Sequence, residues 1–195
     1  MAIQPRFINW LPIALMVGVL AGGTVLIGNV LAGKGFSWVG TLIWVPFISW
    51  ALYFMAGGRL QRAHKYVIAM VGGVVYGWLT IIIGNWLVGI IGGLWAYPIV
   101  VFLVATSIVL LELTDWFELA PAYFFGYAGY FATAFGFSAA LGFETPQDIT
   151  LAVYHIVLTV AGLILGWITI AIKGRMLDAM NVPLDQRQTV FDKEA

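Results

Sequence analysis

The sequence predicts an all-α membrane protein with six transmembrane helices, arranged as two inverted three-helix repeats. Three observations support this fold class: only 9% of the 195 residues are charged, six long apolar segments follow one another, and the third segment matches the sixth. Ordinary soluble domains contain about 25% charged residues. The charged residues here are too few to form a hydrated surface, so the composition favours a chain that lies within a lipid bilayer.

Each predicted span has the length of about 20 apolar residues that crosses the hydrocarbon core. The spans are residues 9–32, 38–57, 66–91, 94–113, 119–141 and 149–172. Glycine, proline or charged residues mark the breaks, and the break at Gly92-Gly93 has no charge. We expect one transmembrane domain over residues 1–175 and a polar cytoplasmic tail over residues 176–195. The first span is too long for a signal peptide, so we expect it to be retained.

The distribution of Lys and Arg predicts the orientation. Six spans place both termini on one side, and almost all basic residues lie there: Arg6, Arg59, Arg62, Lys65, Lys173, Arg175, Arg187 and Lys193. The other side has only Lys34. Because cytoplasmic loops carry the excess of Lys and Arg, we expect both termini to face the cytoplasm.

An internal repeat links the third and sixth spans. Residues 71–83 read VGGVVYGWLTIII, residues 160–172 read VAGLILGWITIAI, and seven positions are identical at a constant separation of 89 residues. Val and Ile matches arise easily by chance in apolar segments, whereas Gly-Trp-x-Thr-Ile does not. A weaker match pairs Ala51, Tyr53 and Phe54 with Ala128, Tyr130 and Phe131. Three spans per repeat invert the second half, so residues 9–91 and 94–172 should be related by an axis in the membrane plane.

Four glycines of the repeat are predicted to pack helices: Gly73, Gly77, Gly162 and Gly166. Each pair is a GxxxG motif, and close backbone approach supplies packing energy where lipid supplies no hydrophobic drive. We expect the third and sixth spans to cross near Gly77 and Gly166. A glycine face that widens a narrow pore is the alternative.

Polar and aromatic residues inside the spans are candidates for a solute path. They are Tyr53, Trp78, Thr80, Tyr130, His155, Trp167 and Thr169. Thr80 and Thr169 are paired by the repeat, but a membrane threonine usually bonds a carbonyl of its own helix. An ionisable group within a span is a functional hypothesis, and a neutral His155 bonded to a neighbour is the structural alternative.

Two charged clusters lie on the predicted cytoplasmic side. Glu112, Asp115 and Glu118 recur every three residues, as do Arg59, Arg62 and Lys65. Mutual ion pairing is one interpretation, and a vestibule that attracts cations is the other. The chain has no Cys, no Gly-rich phosphate loop and no catalytic motif. We therefore predict no enzyme activity, no catalytic residue, no metal, no cofactor and no nucleic-acid partner.

Three segments resemble the YcdZ-like family of uncharacterised bacterial inner-membrane proteins. They run from Trp38 to Phe54, from Gly72 to Val75 and from Pro121 to Ala132, within residues 15–175. The loop at residues 143–148 is longer than that pattern, and Tyr127 and Tyr130 replace smaller residues. The resemblance implies a bundle of helices in the bacterial inner membrane and no established activity.

The sequence is compatible with two functions. The leading one is a channel or facilitator for a small, uncharged polar solute, because no Asp, Glu, Lys or Arg lies deep within the spans. The alternative is a non-transporting membrane subunit or scaffold that packs against a partner protein. A membrane-embedded enzyme is disfavoured. The lipid bilayer is the expected environment, and a homo-oligomer is compatible with the sequence.

Overall fold

The computed structural model describes residues 3–183 and Arg187, and these residues form helices without β-strands. The seven α-helices are α1 (Ile3–Gly33), α2 (Ser37–Thr41), α3 (Trp44–Met55), α4 (Ala63–Ile91), α5 (Gly93–Leu111), α6 (Ala120–Phe137) and α7 (Ile149–Ala179). Two short 3-10 turns occupy Leu60–Arg62 and Ala139–Leu141. The all-helical class predicted from the sequence is therefore confirmed for the described residues.

Four helical segments are long and apolar enough to cross a membrane: Asn9–Gly33, Leu60–Ile91, Gly93–Leu111 and Ile149–Ala179. They coincide with the first, third, fourth and sixth predicted spans. The second predicted span contains the shorter helix α3, and the fifth contains α6; neither is among the four. Large apolar side chains cover the outer surface of the bundle, for example Leu15, Phe102 and Leu103. An outward-facing apolar surface of this kind is typical of an integral membrane protein.

The second predicted span is broken between α2 and α3. Pro46 lies in the first turn of α3 and has no N–H to donate to the carbonyl of Leu42, while its ring crowds that carbonyl. The carbonyl of Leu42 instead accepts from the Val45 N–H at 3.0 Å, three residues along the chain instead of the four of an α-helix. The proline therefore ends α2 and begins a new helix, where the apolar pattern alone predicted one continuous span.

The other boundaries follow glycine and side-chain caps. Gly92, with a φ of +81°, separates α4 from α5 at the predicted break. The Asp148 side chain accepts from the Thr150 N–H at 2.8 Å and begins α7. That helix extends beyond residue 172 to Ala179, and Val182 packs with Ile13 in a small apolar cluster. Residues 184–186 and 188–195 of the predicted tail lie outside the described residues.

Helix packing gives the bundle two principal interfaces. α4 packs most extensively against α6, and α3 packs most extensively against α7. We call the end formed by residues 56–65 and 112–119 the basic end, because it contains Arg59, Arg62 and Lys65. The other end, formed by residues 34–36 and 138–148, is the opposite end; there the Ala139–Leu141 turn contacts α2.

Candidate functional site

Glycines allow the close approach of the helices at both principal interfaces. A Cβ at Gly73 would collide with the backbone carbonyl of Tyr123 on α6, and one at Gly162 would collide with the backbone carbonyl of Pro46 on α3. At both positions a side chain larger than hydrogen would therefore prevent the observed approach of the helices. Small residues serve this role in membrane helices because backbones must approach closely.

The packing partners of Gly77 and Gly166 differ from the prediction. A Cβ at Gly77 would lie 3.0 Å from the ring of Tyr130 on α6, and one at Gly166 would lie 2.7 Å from Cβ of Tyr53 on α3. The nearest atoms thus come from α6 and α3, whereas the sequence predicted that α4 and α7 approach each other at these glycines. A GxxxG motif marks a close approach, but it does not specify which helix approaches.

Matching aromatic pairs join α3 to α4 in the first half of the chain and α6 to α7 in the second half. The rings of Tyr53 and Tyr66 meet edge to face, with centroids 5.2 Å apart and planes at 84°. The rings of Tyr130 and His155 meet in the same way, at 6.1 Å and 88°. Tyr130 follows Tyr53 by 77 residues, and His155 follows Tyr66 by the 89 residues of the sequence repeat.

Buried polar side chains form hydrogen bonds between α4, α6 and α7. The Tyr127 hydroxyl donates to Thr80 Oγ1 at 3.1 Å, and Thr80 donates to the Tyr76 carbonyl of its own helix at 2.8 Å. His155 Nδ1 lies 2.7 Å from Thr133 Oγ1. Both residues are almost fully buried, and the His155 ring contacts Trp44 at a centroid distance of 5.9 Å.

The connection between α6 and α7 folds over the opposite end and extends these polar contacts. The Tyr130 hydroxyl donates to the Pro146 carbonyl at 3.3 Å, and the Trp78 indole donates to the Gln147 carbonyl at 2.8 Å. The Gln147 side chain accepts from Asn85 at 3.1 Å. The candidates Trp78, Thr80, Tyr130 and His155 therefore each take part in one of these hydrogen bonds, which we together call the polar network.

The other three candidates lie apart from the polar network. Tyr53 and Trp167 line a crevice of about 260 Å³ at the basic end, together with Leu60, Tyr66 and Leu163. Thr169 donates to the Leu165 carbonyl of its own helix at 2.8 Å, as the structural interpretation of a membrane threonine predicts. The seven candidate residues are thus distributed over three locations.

Ion pairs join the two connections at the basic end. Arg62 pairs with Glu118, and Lys65 Nζ lies 2.9 Å from carboxylate oxygens of both Asp115 and Glu118. Hydrogen bonding to Lys65 holds the pKa of both carboxyl groups below the usual range. The ion-pair interpretation applies to Asp115 and Glu118. Glu112 is absent from these described pairs.

Sequence reasoning missed three members of the polar network. Tyr127 and Thr133 lie on α6 with Tyr130 at spacings of three residues, which places all three near one helix face. That spacing was visible in the sequence, but the sequence did not indicate which helix this face of α6 contacts. Gln147 lies in a connection, where no periodicity indicates which way a side chain points. Over the described residues, no group of three His, Cys, Asp or Glu side chains is arranged to hold a metal ion.

The apolar surface and the helix lengths define this chain as an integral membrane helical bundle. A family model described as a protein of unknown function (DUF1097) matches residues 14–174, which is most of the chain. The chain therefore belongs to that family. Searches of curated proteins and of solved structures returned no match.

Proposed function

We propose that this protein is a channel or facilitator that moves a small, uncharged polar solute across the bacterial inner membrane. The observation that carries the proposal is the equivalence of the two principal interfaces. Gly77 packs on Tyr130, and Gly166, 89 residues later, packs on Tyr53, 77 residues before Tyr130. Equivalent contacts in two halves of a chain support an inverted repeat, an architecture that recurs in transporters.

The proposed repeat has six spans, with α2 and α3 together as the second span and α6 as the fifth. The weaker sequence match, between α3 and α6 at a separation of 77 residues, supports this assignment of the spans. Gly73 meets Tyr123 and Gly126, whereas Gly162 meets Pro46 and Ser49, which precede those two residues by 77 positions. An odd number of spans in each half then places the halves in opposite orientations, with the solute site near their interface.

The chemistry of the interior favours an uncharged solute. No Asp, Glu, Lys or Arg occurs in residues 66–111 or 149–172. The interior instead offers hydroxyl, indole and imidazole groups from the candidates other than Trp167, which is exposed. Ion-coupled transport normally places charged groups within the membrane, so this interior suits passive movement of a solute that exchanges hydrogen bonds with water for hydrogen bonds with protein.

The proposed orientation places both termini and the basic end in the cytoplasm. Arg59, Arg62 and Lys65 lie at that end, whereas Lys34 lies at the opposite end. The positive-inside rule supports this assignment. The resemblance to YcdZ-like proteins supports a bacterial inner-membrane location.

A second candidate function is a non-transporting subunit, and specific contacts favour it. Thr80 and Thr169 each bond a carbonyl of their own helix, which is a structural role. A Cβ added at Gly18, Gly22 or Gly23 on α1 would meet no atom within 4 Å, so α1 offers a smooth outer face. A partner helix or a second copy of this chain would fit such a face.

Solute flux into proteoliposomes tests the proposal. We expect the wild-type protein to accelerate uptake of urea, acetamide or glycerol over protein-free liposomes in stopped-flow light scattering. Thr169→Val should slow that uptake severalfold because the substitution removes a hydroxyl of α7 from the proposed path. Thr106→Val is the matched control, since Thr106 is exposed on α5 and bonds its own helix. Uptake equal to protein-free liposomes for every probe would favour the subunit function.

A further inference from the structure

Buried polar groups without partners are concentrated at one interface. Among the described side chains, the buried polar atoms that lack a hydrogen-bond partner are Trp44 Nε1, Trp50 Nε1, Tyr53 Oη and Thr159 Oγ1. The first three lie on α3 and the fourth lies on α7, the two helices of the α3–α7 interface. Trp50, Tyr53 and Thr159 are each at least 96% buried.

Two of these four groups have counterparts at the α4–α6 interface, and both counterparts have hydrogen-bond partners. Tyr127 and Tyr130 follow Trp50 and Tyr53 by 77 residues. Tyr127 donates to Thr80, and Tyr130 donates to the Pro146 carbonyl. The donors Trp50 and Tyr53 on α3 therefore lack acceptors, whereas their counterparts Tyr127 and Tyr130 on α6 have them.

Unpartnered donors are unusual in a folded protein, because burying a polar group without a hydrogen bond costs free energy. Replacing Tyr53 by Phe, or Thr159 by Val, would remove that cost without changing the shape of the side chain. Destabilising groups of this kind occur where function requires them. The α3–α7 interface is therefore a candidate for a site whose acceptor is not part of the chain.

The chemistry of these groups defines the missing partner. The indole N–H groups are donors only, and the hydroxyls of Tyr53 and Thr159 also donate. Donors on α3 extend from Trp44 to Tyr53, about 13 Å along the helix at 1.5 Å per residue. Tyr53 lines the crevice at the basic end, and Trp44 packs on His155 towards the opposite end. Unpartnered donors of α3 therefore occur towards both ends of the bundle.

We propose that the α3–α7 interface is the solute-binding path, and that its solute is a small uncharged molecule with an acceptor oxygen, such as an amide. The carbonyl oxygen accepts hydrogen bonds from the donors on α3 and α7 as the interface opens. The α4–α6 interface, with its donors satisfied, is the rigid half. This inference rests on the proposed transport function and assigns its binding groups and its class of solute.

Paired measurements of flux and stability test the assignment. In Tyr53→Phe and in Thr159→Val, we expect urea flux in proteoliposomes to fall about fivefold. We expect the unfolding temperature in detergent to stay the same or to rise, because neither hydroxyl has a partner to lose. Thr106→Val is the matched control for Thr159→Val and should change neither quantity. A structural role for Tyr53 or Thr159 would lower the unfolding temperature and leave flux per folded protein unchanged.

A binding measurement separates this inference from the proposed function. The contribution of Trp50 to the fluorescence is the difference between the emission of the wild-type protein and that of Trp50→Phe. We expect this emission to shift when acetamide is added to the wild-type protein, whether or not solute crosses the membrane. Such a shift without flux would overturn the transport function and keep the site. Wild-type flux that survives in both Tyr53→Phe and Thr159→Val would overturn the site and keep the transport function. Neither flux nor a shift would overturn both.

Discussion

At the scale of single residues, the hydrogen bond between Thr133 and His155 is a buried contact that one substitution removes. Thr133→Val keeps the shape of the side chain and leaves His155 Nδ1 without its 2.7 Å partner. We expect the free energy of unfolding to fall by about 1–3 kcal/mol, the cost of an unsatisfied buried group. Denaturant titration in detergent, followed by circular dichroism, measures the change.

Thr106→Val again provides the control, because its hydroxyl bonds within α5 at an exposed position. It should change the unfolding free energy by less than about 0.5 kcal/mol, as surface substitutions usually do. Equal stability of the wild type and Thr133→Val would mean that the imidazole finds another partner.

The sequence identified His155 but not the residue that satisfies it. The histidine was visible because it is an ionisable group within an apolar span. Its partner depends on how α6 and α7 are rotated about their axes. Because apolar residues surround both helices, the sequence pattern does not determine which face of each helix meets the other. The neighbouring Tyr154 stacks on Trp38 at 4.3 Å instead.

At the scale of helices, glycine positions determine how closely the two principal interfaces pack. We expect Gly73→Ala and Gly162→Ala each to prevent normal folding, because the added methyl group meets backbone atoms that cannot move alone. Gly18→Ala is the control, since its side chain would meet nothing within 4 Å. Size-exclusion chromatography and the yield of monodisperse protein in detergent measure the outcome.

A folded Gly73→Ala protein with wild-type yield would contradict the close approach of α4 to α6. Loss of folding in Gly18→Ala would instead indicate that the outer face of α1 packs against another chain. The Gly18→Ala control therefore also tests the outer face of α1, which is the surface that the subunit function would use.

The locations of the long helices and most of their ends could be predicted from apolar runs and from their glycine and charged boundaries. The break before α3 could not, because proline is tolerated within many membrane helices and the spacing of apolar residues does not change there. Pro12 and Pro98 lie within continuous helices. Whether a proline bends, ends or merely occupies a helix depends on whether neighbouring groups satisfy the freed carbonyl.

At the scale of the whole molecule, the proposed orientation predicts which connections are accessible from outside the cell. The chain has no Cys, so single cysteines can be introduced at exposed positions. In intact cells, a membrane-impermeant maleimide should label Lys34→Cys and Glu144→Cys. It should label Gln61→Cys only after lysis. Mass shifts on denaturing gels report the labelling.

Labelling of Gln61→Cys in intact cells, with protection of the other two, would reverse the orientation. Labelling of Lys34→Cys but not Glu144→Cys would contradict the proposal of six spans, because that proposal places an even number of spans between those two residues. The packing of α2 against the Ala139–Leu141 turn supports their presence at one end.

The ion pairs at the basic end have a consequence for the order in which the chain is made. Lys65 leaves the ribosome 53 residues before Glu118, its eventual partner. During that interval Lys65 and Arg62 are not yet paired with the carboxylates of Asp115 and Glu118, and in the proposed orientation their charges would hold the nascent segment on the cytoplasmic face. The later arrival of Asp115 and Glu118 supplies two carboxylates that balance both charges. In the proposed orientation, the same side chains therefore act first as a topological signal and afterwards as ion-pair partners that join the first half of the chain to the second half.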